Sequence, residues 1–229
     1  NWDIAFSVST RSSSILINES AGVELKVYPT TEGWNWTTPI DITNYASWNS
    51  LKNSDIDWEI GAFNANATGH PNYGWGVYNE ATHNIAGNAL YIIKLRNGTF
   101  KKIWIEKKYS SMQKYTFHFA NVDGTGDTEV SNFRLDNTSA NFVYYSLQDN
   151  TRLDREAAAS GWDFLFTKWH DSTLNYIVTG VLQNINTTAF DVTTDTPNSI
   201  TYTDVQFSSD INTIGYDWKT FNGTAYDLP

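Results

Sequence analysis

The sequence predicts an all-β fold built of antiparallel sheets. Short runs rich in β-branched and aromatic residues recur along the 229 residues, each bounded by turn residues. One stretch, "LYIIKLRNGTFKKIWIE" (90–106), places Asn97-Gly98 between two β-rich arms, the signature of a type I′ hairpin. Helix-period patterns are scarce.

Taken in order, strands are expected at Ile4–Val8, Ser14–Ile17 and Val23–Tyr28, each an apolar run ended by Ser, Asn or Pro. Leu90–Leu95 and Phe100–Ile105 are the arms of the hairpin. The lysines between Phe100, Ile103 and Ile105 alternate imperfectly and suggest one wetter face. Tyr115–Ala120, Phe142–Leu147, Trp162–Trp169 and Tyr176–Leu182 complete the series. Two short helix candidates stand apart, "NYASWNSLKN" (44–53) and "LDREAAAS" (153–160).

Composition narrows the classes of function. A net charge of −10 argues against nucleic acid and against an anionic membrane surface, both of which call for clustered Lys and Arg. The absence of cysteine removes disulfides, thiolate catalysis and Cys-based metal sites. No apolar run is long enough to form a membrane-spanning helix. Ten Trp among abundant Thr, Ser and Asn give the look of a secreted or outer-surface β-protein. The start at Asn1, without Met, reads as a mature or excised piece of a longer chain. Asn-x-Ser/Thr triplets at Asn18, Asn35, Asn66, Asn97, Asn137, Asn186 and Asn222 are expected by chance in so Asn- and Thr-rich a chain.

An internal duplication is also expected. "WDIAF" (2–6) aligns with "WDFLF" (162–166), and "AGV" (21–23) with "TGV" (179–181). Further along, "DIDWEIG" (55–61) aligns with "DINTIG" (210–215). The expected division is a first unit over 1–130 and a second, truncated unit over 131–229, joined through the polar stretch 121–141. Trp2 and Trp162 should then be buried at equivalent places, and Asp3 and Asp163 should serve a shared structural role.

No nucleophile elbow, HExxH, P-loop or dinucleotide fingerprint is present, so the expectation is a non-enzymatic protein. Asp154 and Glu156 read as surface charges, His118 as a satisfied strand histidine and His170 as solvated. His70 and His83 bracket "HPNYGWGVYNEATH", beside Tyr73, Trp75 and Tyr78. Two imidazoles among aromatic walls suit a metal or haem iron, or they are ordinary loop histidines. Asn121, Asp123, Asp127 and Glu129 set oxygen donors around two glycines, either a calcium loop or a plain turn with Gly124 or Gly126 left-handed.

"NWDIAF", "AGV", "GWGVYN…H", the hairpin stretch and "YTFHFA" together resemble the HmuY-like haem-binding proteins of Bacteroidetes bacteria over roughly residues 2–120, and partly again over 142–222. The resemblance implies an all-β haem carrier, secreted or held at the outer surface, of the kind exported by the type IX system. It implies His83 and His70 as axial haem ligands, with Tyr73 or Trp75 flanking the macrocycle. The partner would then be haem or a haem-carrying protein. The alternative is a surface module that binds glycan or self-associates.

Overall fold

The computed structural model describes residues 1–30, 33–136, 138–192 and 206–227, and Asn137 lies outside the described residues. The fold is all-β, and its helical residues form only single 3-10 turns. The strands are β1 (Ile4–Ser7), β2 (Ile15–Ile17), β3 (Glu24–Val27), β4 (Ser50–Leu51), β5 (Gly76–Asn79), β6 (Asn84–Gly87), β7 (Tyr91–Lys94) and β8 (Phe100–Tyr109). They continue with β9 (Lys114–Asn121), β10 (Thr128–Arg134), β11 (Phe142–Ser146), β12 (Thr151–Leu153), β13 (Phe164–Asp171), β14 (Tyr176–Gln183), β15 (Thr220–Phe221) and β16 (Tyr226–Asp227). All nine strands expected from sequence are present. Of the two helix candidates, 44–53 holds one 3-10 turn, Tyr45–Ser47, and 153–160 runs from the end of β12 into a 3-10 turn at Ala159–Gly161. Among the described residues no helix is long and apolar enough to cross a membrane.

Two antiparallel sheets pack face to face. The smaller has the order β12-β11-β1-β2, and the larger runs β10-β9-β8-β7-β3-β4 with β6 and β5 added beside β8. The length of β8 lets it pair β7 through Phe100–Ile103 and β6 through Lys107–Tyr109, while β9 lies along its other edge. Between the sheets, Phe6 meets Tyr115, Phe133 and Phe117 at ring-centroid distances of 4.8, 4.9 and 5.4 Å. Tyr145 adds edge-on contacts to Phe117 and Phe133 at 5.2 and 5.5 Å. Offset and edge-on geometries of this kind add to area burial.

The hairpin at Asn97-Gly98 forms, with a different turn. Gly98 has φ +83 while Asn97 is not left-handed, and Gly98 N–H bonds Leu95 C=O at 2.8 Å. This is a type I turn closed by a left-handed glycine rather than a type I′ turn, a three-residue alternative that the same residues allow.

Neither outer face of the sandwich is bare. Residues 28–30 and 33–48 lie over the larger sheet, where Trp34, Trp36 and Trp48 pack with Ile92 and Trp104. The lysines read as a wet face are therefore not uniformly wet. Lys102 is buried and bonds the carbonyls of Trp36 and Thr38, Lys26 bonds those of Tyr45 and Ala46, and Lys108 bonds that of Ser12. Each ammonium satisfies loop carbonyls that would otherwise lose water on burial.

The edge of the smaller sheet is closed by side chains. Asn64 Oδ1 accepts from Ile15 N–H and Asn53 Oδ1 from Ile17 N–H, both at 3.0 Å, and Asn53 Nδ2 donates to Ile17 C=O at 2.8 Å. The amides stand in for a neighbouring strand, which removes an open edge. Gly61 permits this approach, since a Cβ there would lie 2.2 Å from the Ile15 carbonyl oxygen.

The structure does not build two like units. The division at 130/131 falls inside β10, and β11 and β12 complete the sandwich: β11 pairs β1, and Phe133, Val143 and Tyr145 are core. Part of the supposed linker 121–141 is β10 itself. The aligned stretches also differ. β1 is paired on both sides and wholly buried, whereas β13 pairs only β14 and begins with exposed Phe164, Leu165 and Phe166. Gly22 caps a 3-10 turn at φ +84, while its counterpart Gly180 lies within β14. Asp3 is buried and Asp163 exposed. The shared Trp-Asp-apolar pattern sets a local strand preference, and tertiary surroundings give it two different outcomes.

Candidate functional site

The residues proposed for haem come together only in part. His70 and His83 both contact Tyr78, at ring-centroid distances of 5.1 and 6.1 Å, and His83 Nδ1 lies 2.6 Å from the Tyr78 hydroxyl. His70 Nδ1 lies 3.5 Å from the Tyr73 hydroxyl, and its Nε2 3.7 Å from Glu80. Trp75 is fully buried and donates its indole N–H to Ser13 C=O at 3.0 Å. The bis-histidine haem site that the resemblance implies would set two imidazoles facing one another across the iron, with Tyr73 or Trp75 flanking the macrocycle. Here one phenol ring is the common neighbour of both histidines, and Trp75 is committed to the core, so the arrangement does not fit that site. Haem titration is expected to produce no low-spin bis-histidine spectrum. Such a spectrum, abolished in His83→Ala, would restore the haem reading.

The Asn121–Glu129 stretch is organised as a turn. Gly124 and Gly126 both have positive φ, at +90 and +66. Asp123 Oδ1 accepts from the Thr125 N–H and hydroxyl, Asn121 Oδ1 from Lys101, and Asp127 Oδ1 from the Trp36 indole. Glu129 sits opposite His118 in the β9–β10 ladder. The oxygens are spent on separate partners, and among the described residues no group of three or more His, Asp or Glu converges as metal ligands.

His118 is satisfied, 3.1 Å from Glu106 and stacked on Trp104. Asp3 is buried and structural. Glu156 and His170 depart from the surface reading, because both line a cavity of about 500 Å³ on the outer face of the smaller sheet.

That cavity is built from residues far apart in sequence. The outward side chains of the sheet, Leu16, Phe142 and Tyr144, form its floor, with Trp2 packed edge-on to Tyr144 at 5.1 Å. Trp162, Trp169 and Leu182 come from the β13–β14 unit. Trp58 belongs to both groups and bonds Gln183 C=O through its indole at 2.9 Å, joining the unit to the sandwich. Alternation along β1 and β2 turns Ile4 and Phe6 inward and leaves Ala5 and Leu16 for this second face. The near-continuous apolar run of β1 thus reflects a strand covered on both sides.

Two carboxylates, Glu19 and Glu156, stand among the polar residues that line the cavity. Glu19 accepts from Asn53 N–H and Nδ2 at 3.3 and 3.2 Å and from the backbone of His170, with Lys52 at 4.0 Å. Glu156 accepts from the backbone of Asn141 and Phe142 and from the Tyr144 hydroxyl, at 3.1, 3.0 and 3.0 Å. Burial pushes Glu19 up to about 7 against the opposing pull of Lys52 and Asn53, and burial also raises Glu156. His170 is held below its ordinary value, first by burial and then by Lys52. By contrast, the buried indole N–H groups of Trp162 and Trp169 have no hydrogen-bond partner. A buried donor without an acceptor is costly, and both nitrogens are shut off from solvent beneath the cavity surface.

The sign of the Glu19 effect follows from its raised value. Its contribution to stability is fully present below the unfolded value of 4.5 and is lost as pH rises through about 7. Over that window the shift corresponds to roughly 3 kcal/mol at most. Denaturant titrations at pH 5 and pH 8 are expected to show wild type gaining stability relative to Glu19→Gln at the lower pH. A difference that does not change with pH would contradict this.

Sequence reasoning missed Trp58, Tyr144, Trp169 and Glu19 as site residues. The available signal was the Trp content itself, with Trp2, Trp162 and Trp169 flanking the two aligned strand patterns. Neither the family models, nor the curated proteins, nor the solved structures compared with the chain match it.

Proposed function

We propose that the chain is a non-enzymatic carbohydrate-binding β-protein, of the secreted or cell-surface kind its composition suggests. One observation carries this reading: four tryptophans and a tyrosine line one cavity. A sugar ring offers an apolar C–H face for aromatic walls, and pockets of this size with few polar groups suit small ligands. Binding rather than hydrolysis is supported by the carboxylates. Glu19 and Glu156 both hold backbone N–H groups, so they tie the cavity walls together.

Titration with a panel of oligosaccharides, followed by tryptophan fluorescence and calorimetry, tests the reading. At least one saccharide is expected to bind, and Trp162→Ala to weaken it by about tenfold, equivalent to ~1.4 kcal/mol, without changing the far-UV circular dichroism. A panel with no binder, or a Trp162→Ala protein that binds as wild type, would overturn it.

A further inference from the structure

We propose that the ligand is an extended anionic saccharide, which runs from the aromatic cavity across Lys168 into a second concavity at Trp218. This rests on the carbohydrate reading of the first cavity. The second concavity, about 490 Å³, shares Ser20, Thr167 and Lys168 with the first and adds Phe166, Trp218 and Lys219. The two therefore adjoin along β13, a strand that only β14 pairs among the described residues. Phe166 is 79% exposed and Trp218 37% exposed, so each leaves aromatic surface in water at the far end. A single sugar ring in the first cavity would not touch them, whereas a chain of sugars would cover both.

Charge along the two concavities favours an anionic chain. The carboxylates of Glu19 and Glu156 are occupied by N–H donors from the protein. Arg155 and Lys168 face the first cavity, and among the described residues neither forms an ion pair. Lys219 bonds the carbonyls of Thr179 and Tyr216 and lies 4.4 Å from the Trp218 ring centroid, which places a positive charge at the aromatic platform. The chain's overall charge of −10 opposes this attraction at long range. That repulsion is screened beyond about 8 Å at physiological ionic strength, whereas a carboxylate at Lys168 is in direct contact. Charge-assisted hydrogen bonds then outweigh the diffuse term.

Calorimetry with uronic-acid di- and hexasaccharides, and with neutral glucose oligosaccharides of the same lengths, tests the proposal. The anionic hexasaccharide is expected to bind tightest and to weaken with added salt. Lys168→Gln should lower its affinity about tenfold, and the neutral hexasaccharide's far less. Trp218→Ala should bring the hexasaccharide's affinity down to that of the disaccharide. Equal binding of neutral and anionic chains, or no gain with length, overturns the extended anionic ligand while leaving the carbohydrate reading standing. If no saccharide binds, both fall. Binding of an acidic peptide along β13 with no saccharide binding also overturns both, in favour of strand addition.

Discussion

Replacing Asp3 by alanine is expected to destabilise the protein by about 3–5 kcal/mol, the range for breaking a buried ion pair from one side. Asp3 is fully buried, and its carboxylate accepts from Arg96 Nε at 2.8 Å and Gln148 N–H at 3.1 Å, with the Ser146 hydroxyl at 3.3 Å. The three partners come from the β7–β8 turn, the end of β11 and the turn that follows it. One side chain thus ties the first strand of the smaller sheet to both sheets. Alanine leaves Arg96 with Asp149 at 3.6 Å as its remaining carboxylate, and leaves the Gln148 N–H without its acceptor. Asp3→Asn keeps the shape and one acceptor oxygen, and is expected to cost less than alanine. Urea denaturation of the two variants measures both, and an alanine cost below about 1 kcal/mol, the scale of an exposed pair, would contradict the clamp.

Phe6→Ala is expected to cost about 3–5 kcal/mol, through lost transfer energy and the void it leaves. Phe6 packs its ring against those of Tyr115, Phe117 and Phe133 together. These neighbours stand on β9 and β10, held in register by backbone pairing, so they cannot collapse far into the space. Phe6→Leu refills part of the volume and should lose less. Denaturant midpoints separate the two, and equal losses would show that ring contact rather than volume sets the cost.

The strands that sequence made legible are those with dense apolar or aromatic runs, such as Ile4–Ser7 and Tyr115–Ala120. The unread ones are short or half-exposed. In β10, "TEVSNFR", Phe133 is the one buried residue, and in β12 none is buried. Lys102 misled for the opposite reason, because charge was read as wetness while the loop carbonyls of Trp36 and Thr38 accepted its ammonium group inside. The duplication was a real likeness of short patterns, but burial is decided by what packs on a strand. The candidate cavity was the least legible feature. Trp2, Trp58 and the neighbouring Trp162 and Trp169 lie in three separate segments, and their convergence depends on β13–β14 seating over the outward face of β1 and β2. His70 and His83 were close in sequence and so were conspicuous, yet the short β5–β6 hairpin leaves Tyr78 beside both of them.

The inward lysines make the folded protein a chemical recorder. An amine-reactive label should pass over Lys26, Lys102 and Lys108 while reaching the exposed Lys168. Because each hidden ammonium fastens a different segment, near residues 45, 36 and 12, the order in which they become reactive under mild denaturant would report which covering segment lifts first.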